Sequence, residues 1–380
     1  MDQAPSPAVV QQIPLPAPAP GTSRVLTVLR FGEPGARPKA YLQAGLHADE
    51  FPGMLALRHL AEMLETHAAA GEILGEIVVL PLANPVGFAQ QVGGFLHGRH
   101  DLASFGNFNR DYPDLAKEIA DTLGERLTQD AAENVATIRA AMGEALAERA
   151  PRTETAALRH HLLTLAHDAD IVLDVHADNE AMPHLYIGTP LWPDARDLAA
   201  DIEARAILLA EISGGHPFDE ACSGPWWSLA ARFPEAPIPP ACFAATLELG
   251  SNDDVDEREA RRTAEALLRF LARRGLVGGV SDLSPAMPRA EATPLEAMQQ
   301  LIAPTGGLVA YHARLGDHVR TGDLVARIID PVGAEADVLA GTDGILFARH
   351  NQTYAWPGKV IGKIAGETAL PERKGELLTD

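Results

Sequence analysis

The chain has 380 residues with 31 basic and 52 acidic side chains, a net charge of −21. That charge excludes non-specific DNA or RNA binding, because a polyphosphate would be repelled. With 46% hydrophobic and 22% charged residues, the composition is that of a soluble globular protein of two to three domains. Cys222 and Cys242 lack a CxxC partner, so neither a disulfide framework nor a cysteine-built zinc site is expected.

Residues 1–22 contain no Lys or Arg, and prolines interrupt every apolar stretch. They predict an extended Pro/Ala-rich arm and not a secretory signal. No apolar run long enough to span a bilayer follows, so the expectation is a cytoplasmic protein with no membrane and no nucleic-acid partner. Residues 24–30 and 40–46 read as strands. Residues 52–65 read as a helix, with Asp49 as its cap and Pro52 in its first turn. Residues 76–80 (EIVVL) are a short apolar strand, followed by a long Gly-bearing loop to Tyr112.

An Ala/Glu/Leu-rich stretch at about 115–160 predicts a helical insertion. Residues 171–175 (IVLDV) read as a buried strand ending at His176, residues 197–212 as a helix, residues 241–249 as a strand and residues 256–274 as a helix. Strands alternating with helices predict an α/β domain over residues 23–284, its sheet covered on both faces. Beyond a Pro-bearing boundary, residues 307–328 resemble residues 344–364, two half-motifs that predict a small C-terminal β-barrel or sandwich over 285–380.

Three predicted strands end in polar residues that an apolar strand does not need. His47 follows the strand 40–46, and Glu50 lies three residues on, at a helix start; His176 ends the strand 171–175. Two histidines and a carboxylate can make a catalytic zinc site with a fourth position for water, and strand ends are where α/β proteins build their sites. The alternative is a solvated histidine and a helix-capping glutamate. Glu248 interrupts the apolar strand 241–249, where it suits a general base, or else a strand-edge residue facing solvent. In the loop before Tyr112, Asn109 and Arg110 offer an amide and a guanidinium fork for a carboxylate. Arg99 could polarise a carbonyl, or simply be solvated. His100 is a weaker alternative ligand, His184 could line the pocket, and Trp226–Trp227 read as core.

These segments, HADE, NP, NFNR, LDVH and TLELG, stand in the order found in the succinylglutamate desuccinylase/aspartoacylase family, and residues 24–275 resemble that family. The resemblance implies a zinc-carboxypeptidase-like mixed sheet flanked by helices, with one Zn(2+) per chain. It implies His47, Glu50 and His176 as zinc ligands and Glu248 as general base. It also implies Asn109 and Arg110 as the pair that binds the substrate carboxylate, and Arg99 as the carbonyl-polarising residue. The C-terminal repeat resembles a biotinyl/lipoyl barrel, but its joining stretch 329–343 has no lysine, which disfavours a carrier role.

The resulting expectation is a zinc-dependent deacylase of N-acyl amino acids or related small N-acyl amines. A carboxypeptidase using the same parts and a non-catalytic binding protein on the same fold are the alternatives, and a homo-oligomer stays open.

Overall fold

The computed structural model describes residues 8–375, 377 and 378. Among these, nine strands form one mixed sheet. In chain order they are β1 (Val9–Pro14), β2 (Val25–Phe31), β3 (Lys39–Ala44), β4 (Glu76–Leu80), β5 (Ile171–Asp178), β6 (His184–Gly188), β7 (Ala206–Ala210), β8 (Phe243–Ser251) and β9 (Ala292–Pro294). Their spatial order is β1-β2-β4-β3-β5-β8-β6-β7-β9. The central four, β4, β3, β5 and β8, run parallel.

The central strands are apolar on both sides, as strands covered by helices on both faces must be. Tyr41 and Val172 enter one core, and Ala40, Leu42, Leu173 and Val175 enter the other. Helices α1 (Pro52–Ala69), α5 (Arg196–Asp201) and α7 (Glu257–Arg273) cover the second face. The first face is covered by α2 (Leu115–Leu123), α3 (Ala131–Ala147), α4 (Glu154–Ala166) and α6 (Phe218–Arg232). The stretch at about 115–160 is thus helical, and Asp114, Asp130 and Thr153 cap its three helices by accepting backbone N–H bonds.

Several expectations change. Residues 9–14 of the proline-rich arm pair along β2 as an edge strand, a place that tolerates proline. Residues 197–212 are not one helix: α5 ends at Asp201, Glu203 takes a left-handed φ of 56°, and the apolar run 206–210 becomes β7, buried between β6 and β9. Asp49 does not cap α1, whose first residue follows Phe51 without a side-chain cap bond. Residues 292–294, beyond the predicted boundary, add a ninth strand to the large sheet.

The C-terminal repeat folds into two small sheets. Strands Gly307–Tyr311, Leu324–Ile329, Glu335–Leu339 and Tyr354–Ala355 form one. Met298–Ile302, His318–Val319, Gly344–Arg349 and Val360–Gly366 form the other. They share a core built from Leu301, Val309, Val325, Ile328, Leu346 and Ile361. The module is tied to the large domain by main-chain pairing of Glu180–Ala181 with Gly344–Arg349. Arg349 Nε adds an ion pair to Glu180, 2.5 Å away.

Candidate active site

Alternation along the parallel strands puts one set of polar side chains on the α6 face. Along β5 that set is Asp174, His176 and Asp178, and along β8 it is Thr246 and Glu248; Glu248 stands beside His176 in the parallel register. All lie toward the carboxyl ends of the strands, where open α/β sheets place their sites. The turn after β3 adds His47 and Glu50. Gly53, in the first turn of α1, lets that helix pack directly on β5: a Cβ there would come 2.8 Å from Val175 Cγ1.

The carboxylate of Glu50 lies between the two histidines. Its Oε1 is 2.8 Å from His47 Nδ1, and its Oε2 is 2.7 Å from His176 Nδ1. The Ala177 N–H also donates to Oε2 at 3.1 Å. All three residues are buried, and one donor atom from each lies within 4.8 Å of the others. Two imidazole nitrogens and one carboxylate oxygen are the donor types a zinc-like ion takes, so the group fits a metal. Each outward nitrogen is held as well: His47 Nε2 is 2.8 Å from Asn107 Oδ1, and His176 Nε2 is 2.9 Å from Asp174 Oδ2. Gln43 Nε2 in turn donates to Asp174 Oδ1 at 2.9 Å. Such outer partners fix the ring orientation of metal-binding histidines.

The charges in this group are strongly interdependent. Burial alone would raise Glu50, but His47 and His176 hold it well below the carboxylate range. Burial would lower His176, yet Asp174 and Glu50 raise it well above the imidazole range. Burial pushes Glu248 up to about 8, with the charge of Glu50 adding to the effect. Its Oε2 is sealed from solvent and has no hydrogen-bond partner among the described residues.

Arg99 reaches the group from the loop after β4. Its Nη1 is 3.3 Å from His47 Nδ1 and 3.4 Å from Glu50 Oε1, and the side chain is 42% exposed. The approach depends on Gly98, whose carbonyl accepts from the Ala48 N–H at 3.0 Å. A Cβ on Gly98 would run into the backbone of Ala48 at 2.6 Å. Asn109 is buried, with Nδ2 3.3 Å from His176 Nε2 and Oδ1 accepting from the Phe218 N–H at 2.8 Å. Its carbonyl therefore fixes the start of α6 and is not free to meet a ligand. Arg110 donates to the Asn109 carbonyl at 2.8 Å and lines the same cavity.

The cavity, of about 110 Å³, brings together His47, His176, Arg99, Asn109, Arg110 and Glu248. His184 stays outside it: its Nδ1 donates to the Met182 carbonyl at 2.8 Å, and its ring packs on Phe347. His100 does not join the metal-capable group. Trp226 is core, whereas Trp227 lines the cavity.

Asp174, Asn107, Asp219, Glu220 and Lys363 were not singled out from the sequence. Only Asp174 carried a visible signal, as an acidic residue two positions before His176 in an apolar strand, hence on the same face. Lys363 and Gln300 come from the C-terminal module, and Leu378 follows it; all three line the cavity with Leu295.

Residues 36–274 match the family model of the succinylglutamate desuccinylase/aspartoacylase catalytic domain. The chain is 24% identical, over 90% of its length and 84% of the relative's, to N-alpha-acetyl-L-2,4-diaminobutyric acid deacetylase of Halomonas elongata. Among solved structures it is similar to a succinylglutamate desuccinylase/aspartoacylase family protein of Shewanella amazonensis SB2B, with a TM-score of 0.80 and 28% identity over 94% of this chain and 98% of that one. It shares the fold of the ectoine utilization protein EutE (DoeB) of Ruegeria pomeroyi, with a TM-score of 0.67 and 19% identity over 97% of this chain and 98% of that one.

Proposed function

The chain belongs to the succinylglutamate desuccinylase/aspartoacylase family, and on that premise we propose that it is a zinc-dependent amidohydrolase that removes a short acyl group from a small N-acyl amino acid. The observation that carries this reading is the buried Glu50 carboxylate between His47 Nδ1 and His176 Nδ1, with the unpartnered carboxylate of Glu248 on the same cavity. His47, Glu50 and His176 would hold the ion. When bound, zinc supplies Lewis acidity toward water and the acyl carbonyl.

The remaining roles fall to side chains. Glu248 takes the proton of the attacking water and returns it to the leaving nitrogen. Its raised pKa makes it a strong acceptor once ionised, and the charges of His176 and Lys363 favour ionisation. Arg99 donates to the acyl oxygen as negative charge develops there. Arg110 grips the substrate carboxylate with its planar fork, and Asn109 assists through Nδ2. Leu295, Gln300, Lys363 and Leu378 close the cavity wall, which favours a short acyl group over a peptide. The Halomonas elongata relative is by name a deacetylase, which supports acetyl as that group.

The test is steady-state kinetics of the zinc-loaded protein on N-acetyl amino acids and on N-blocked dipeptides. The N-acetyl amino acids are expected to be cleaved faster. An advantage of about tenfold or more in kcat/KM for blocked dipeptides, a barrier difference of about 1.4 kcal/mol, would assign the protein as a carboxypeptidase instead.

A further inference from the structure

We propose that the loop 213–216 is a positioning element that seats Arg110 for the substrate carboxylate, and that Glu220 and the segment at Leu377–Leu378 hold this loop in place. The inference rests on the reading of Arg110 as the residue that grips the carboxylate, and it adds the part of the chain that aims the grip.

The loop runs between β7 and α6 and lies against the arginine. A Cβ on Gly215 would come 2.6 Å from Arg110 Cδ and 3.0 Å from its Nε, so the loop backbone packs on the side chain just behind the guanidinium. The main chain on both sides of Arg110 is tied to the same stretch. The Asp111 N–H donates to the Gly215 carbonyl at 2.9 Å, and the Tyr112 N–H to the His216 carbonyl at 3.2 Å. On the other side, Asn109 Oδ1 accepts from the Phe218 N–H at 2.8 Å.

This arrangement carries strain that a plain connection to α6 does not need. Asp111 and His216 both take left-handed backbone conformations, with φ of 60° and 47°, a region unfavourable to residues with a side chain. Two such residues, bonded across the gap beside Arg110, persist only where their surroundings hold them.

That hold is visible at Ser213, which is buried. Its N–H donates to Glu220 Oε1 at 2.5 Å. Its carbonyl accepts from the Leu377 N–H at 2.7 Å and from the Leu378 N–H at 3.1 Å. Leu377 is buried in a core with Leu208, Leu295 and Phe347, so its position is fixed where the large sheet meets the C-terminal module. Without Glu220 the Ser213 N–H would be buried and unpaired, and the loop would lose one of its two anchors.

The anchoring role predicts a sign opposite to that of simple charge. The carboxylate of Glu220 is close enough to Arg110 to feel its charge, so it competes with a substrate carboxylate. Removing it would, by electrostatics alone, strengthen the attraction of Arg110 for that carboxylate; removing it as an anchor weakens the grip.

Calorimetric titration with N-acetyl-L-alanine and N-acetyl-L-alaninamide measures the carboxylate preference as a ratio of affinities. The zinc-loaded Glu248→Gln protein serves as background, because it lacks the proton acceptor for turnover. Both ligands meet the same folded fraction, so a general loss of stability cancels from the ratio. In the background the acid is expected to bind at least about tenfold more tightly, the worth of one charged hydrogen-bond partner. Adding Gly215→Ala, whose Cβ displaces the arginine, is expected to reduce that preference at least about threefold, and so is adding Glu220→Ala. If Gly215→Ala does not fold, as judged by circular dichroism, Glu220→Ala decides. Equal affinities in the background, or an undiminished or raised preference in either folded variant, would overturn the proposal. A preference reduced in the variants, with no cleavage of any N-acetyl amino acid by the zinc-loaded wild type, would support the loop and remove the deacylase reading. Cleavage with an undiminished preference would do the reverse.

Discussion

Lys363, on the last strand of the C-terminal module, places its Nζ 2.5 Å from Oδ2 of Asp178, two residues beyond His176 on the central strand β5. The pair joins the two parts of the chain at the cavity wall, with side-chain exposures of 24% and 14%. Removing one partner leaves a largely covered charge uncompensated. Lys363→Met is expected to lower stability by about 1–3 kcal/mol, between the values for exposed and buried pairs. Lys363→Met/Asp178→Asn is expected to recover part of that loss. Urea midpoints of the wild type, both single variants and the double variant measure the coupling; strict additivity would show that the pair contributes nothing.

The pH dependence of that difference follows from the two shifts. Burial would raise Asp178, but Lys363 holds it well below the carboxylate range. Its contribution is therefore fully present above the unfolded value of about 3.9 and is lost as pH falls toward the folded value. Lys363 is raised above the ammonium range by Asp178 and Tyr186 against the effect of burial. Its contribution is present below the unfolded value of about 10.4 and is lost as pH rises through the folded value. The stability gap between wild type and Lys363→Met is expected to be flat from about pH 5 to 9 and to shrink below about pH 4. A gap that grows on acidification would contradict the assignment.

Glu248→Gln separates proton transfer from metal binding. The amide cannot accept the proton of water, so kcat is expected to fall by about 10²–10⁴-fold while the bound metal is retained. Paired turnover and elemental analysis check both halves. Near-normal turnover would move the base elsewhere.

Asp174→Asn addresses the outer partner of His176. With the carboxylate gone, the ring loses the charge 2.9 Å from its Nε2, and metal affinity is expected to weaken by about 10–100-fold. A chelator competition titration measures it. His176→Ala is expected to abolish metal binding in the same assay, whereas His184→Ala, which removes a ring packed on Phe347 and Tyr186, is expected to keep the metal.

Much of the site could be read from local pattern. His47, Glu50, His176 and Glu248 stood out because each breaks an apolar strand or follows its end, and the parallel sheet then brings such ends together. What escaped depended on contacts between distant segments. The run at 206–210 is as apolar as a buried helix, and only its position between β6 and β9 makes it a strand. α6 was hidden by Gly224 and Pro225 within it, and with it Asp219 and Glu220. Nothing near Lys363 indicates that its partner is Asp178, because that contact exists only once Gly344–Arg349 has paired with Glu180–Ala181. Asn109 was legible as a site residue, but its bond to the Phe218 N–H requires the fold.

In the proposed function, deacylation depends on a metal held by His47, Glu50 and His176. Acetate release from an N-acetyl amino acid, measured on metal-stripped protein as zinc is titrated back, tests it most directly. No release is expected without metal, with recovery that saturates at about one zinc per chain and no recovery in His176→Ala. Full activity in the stripped wild type, or recovery by zinc in His176→Ala, would contradict it.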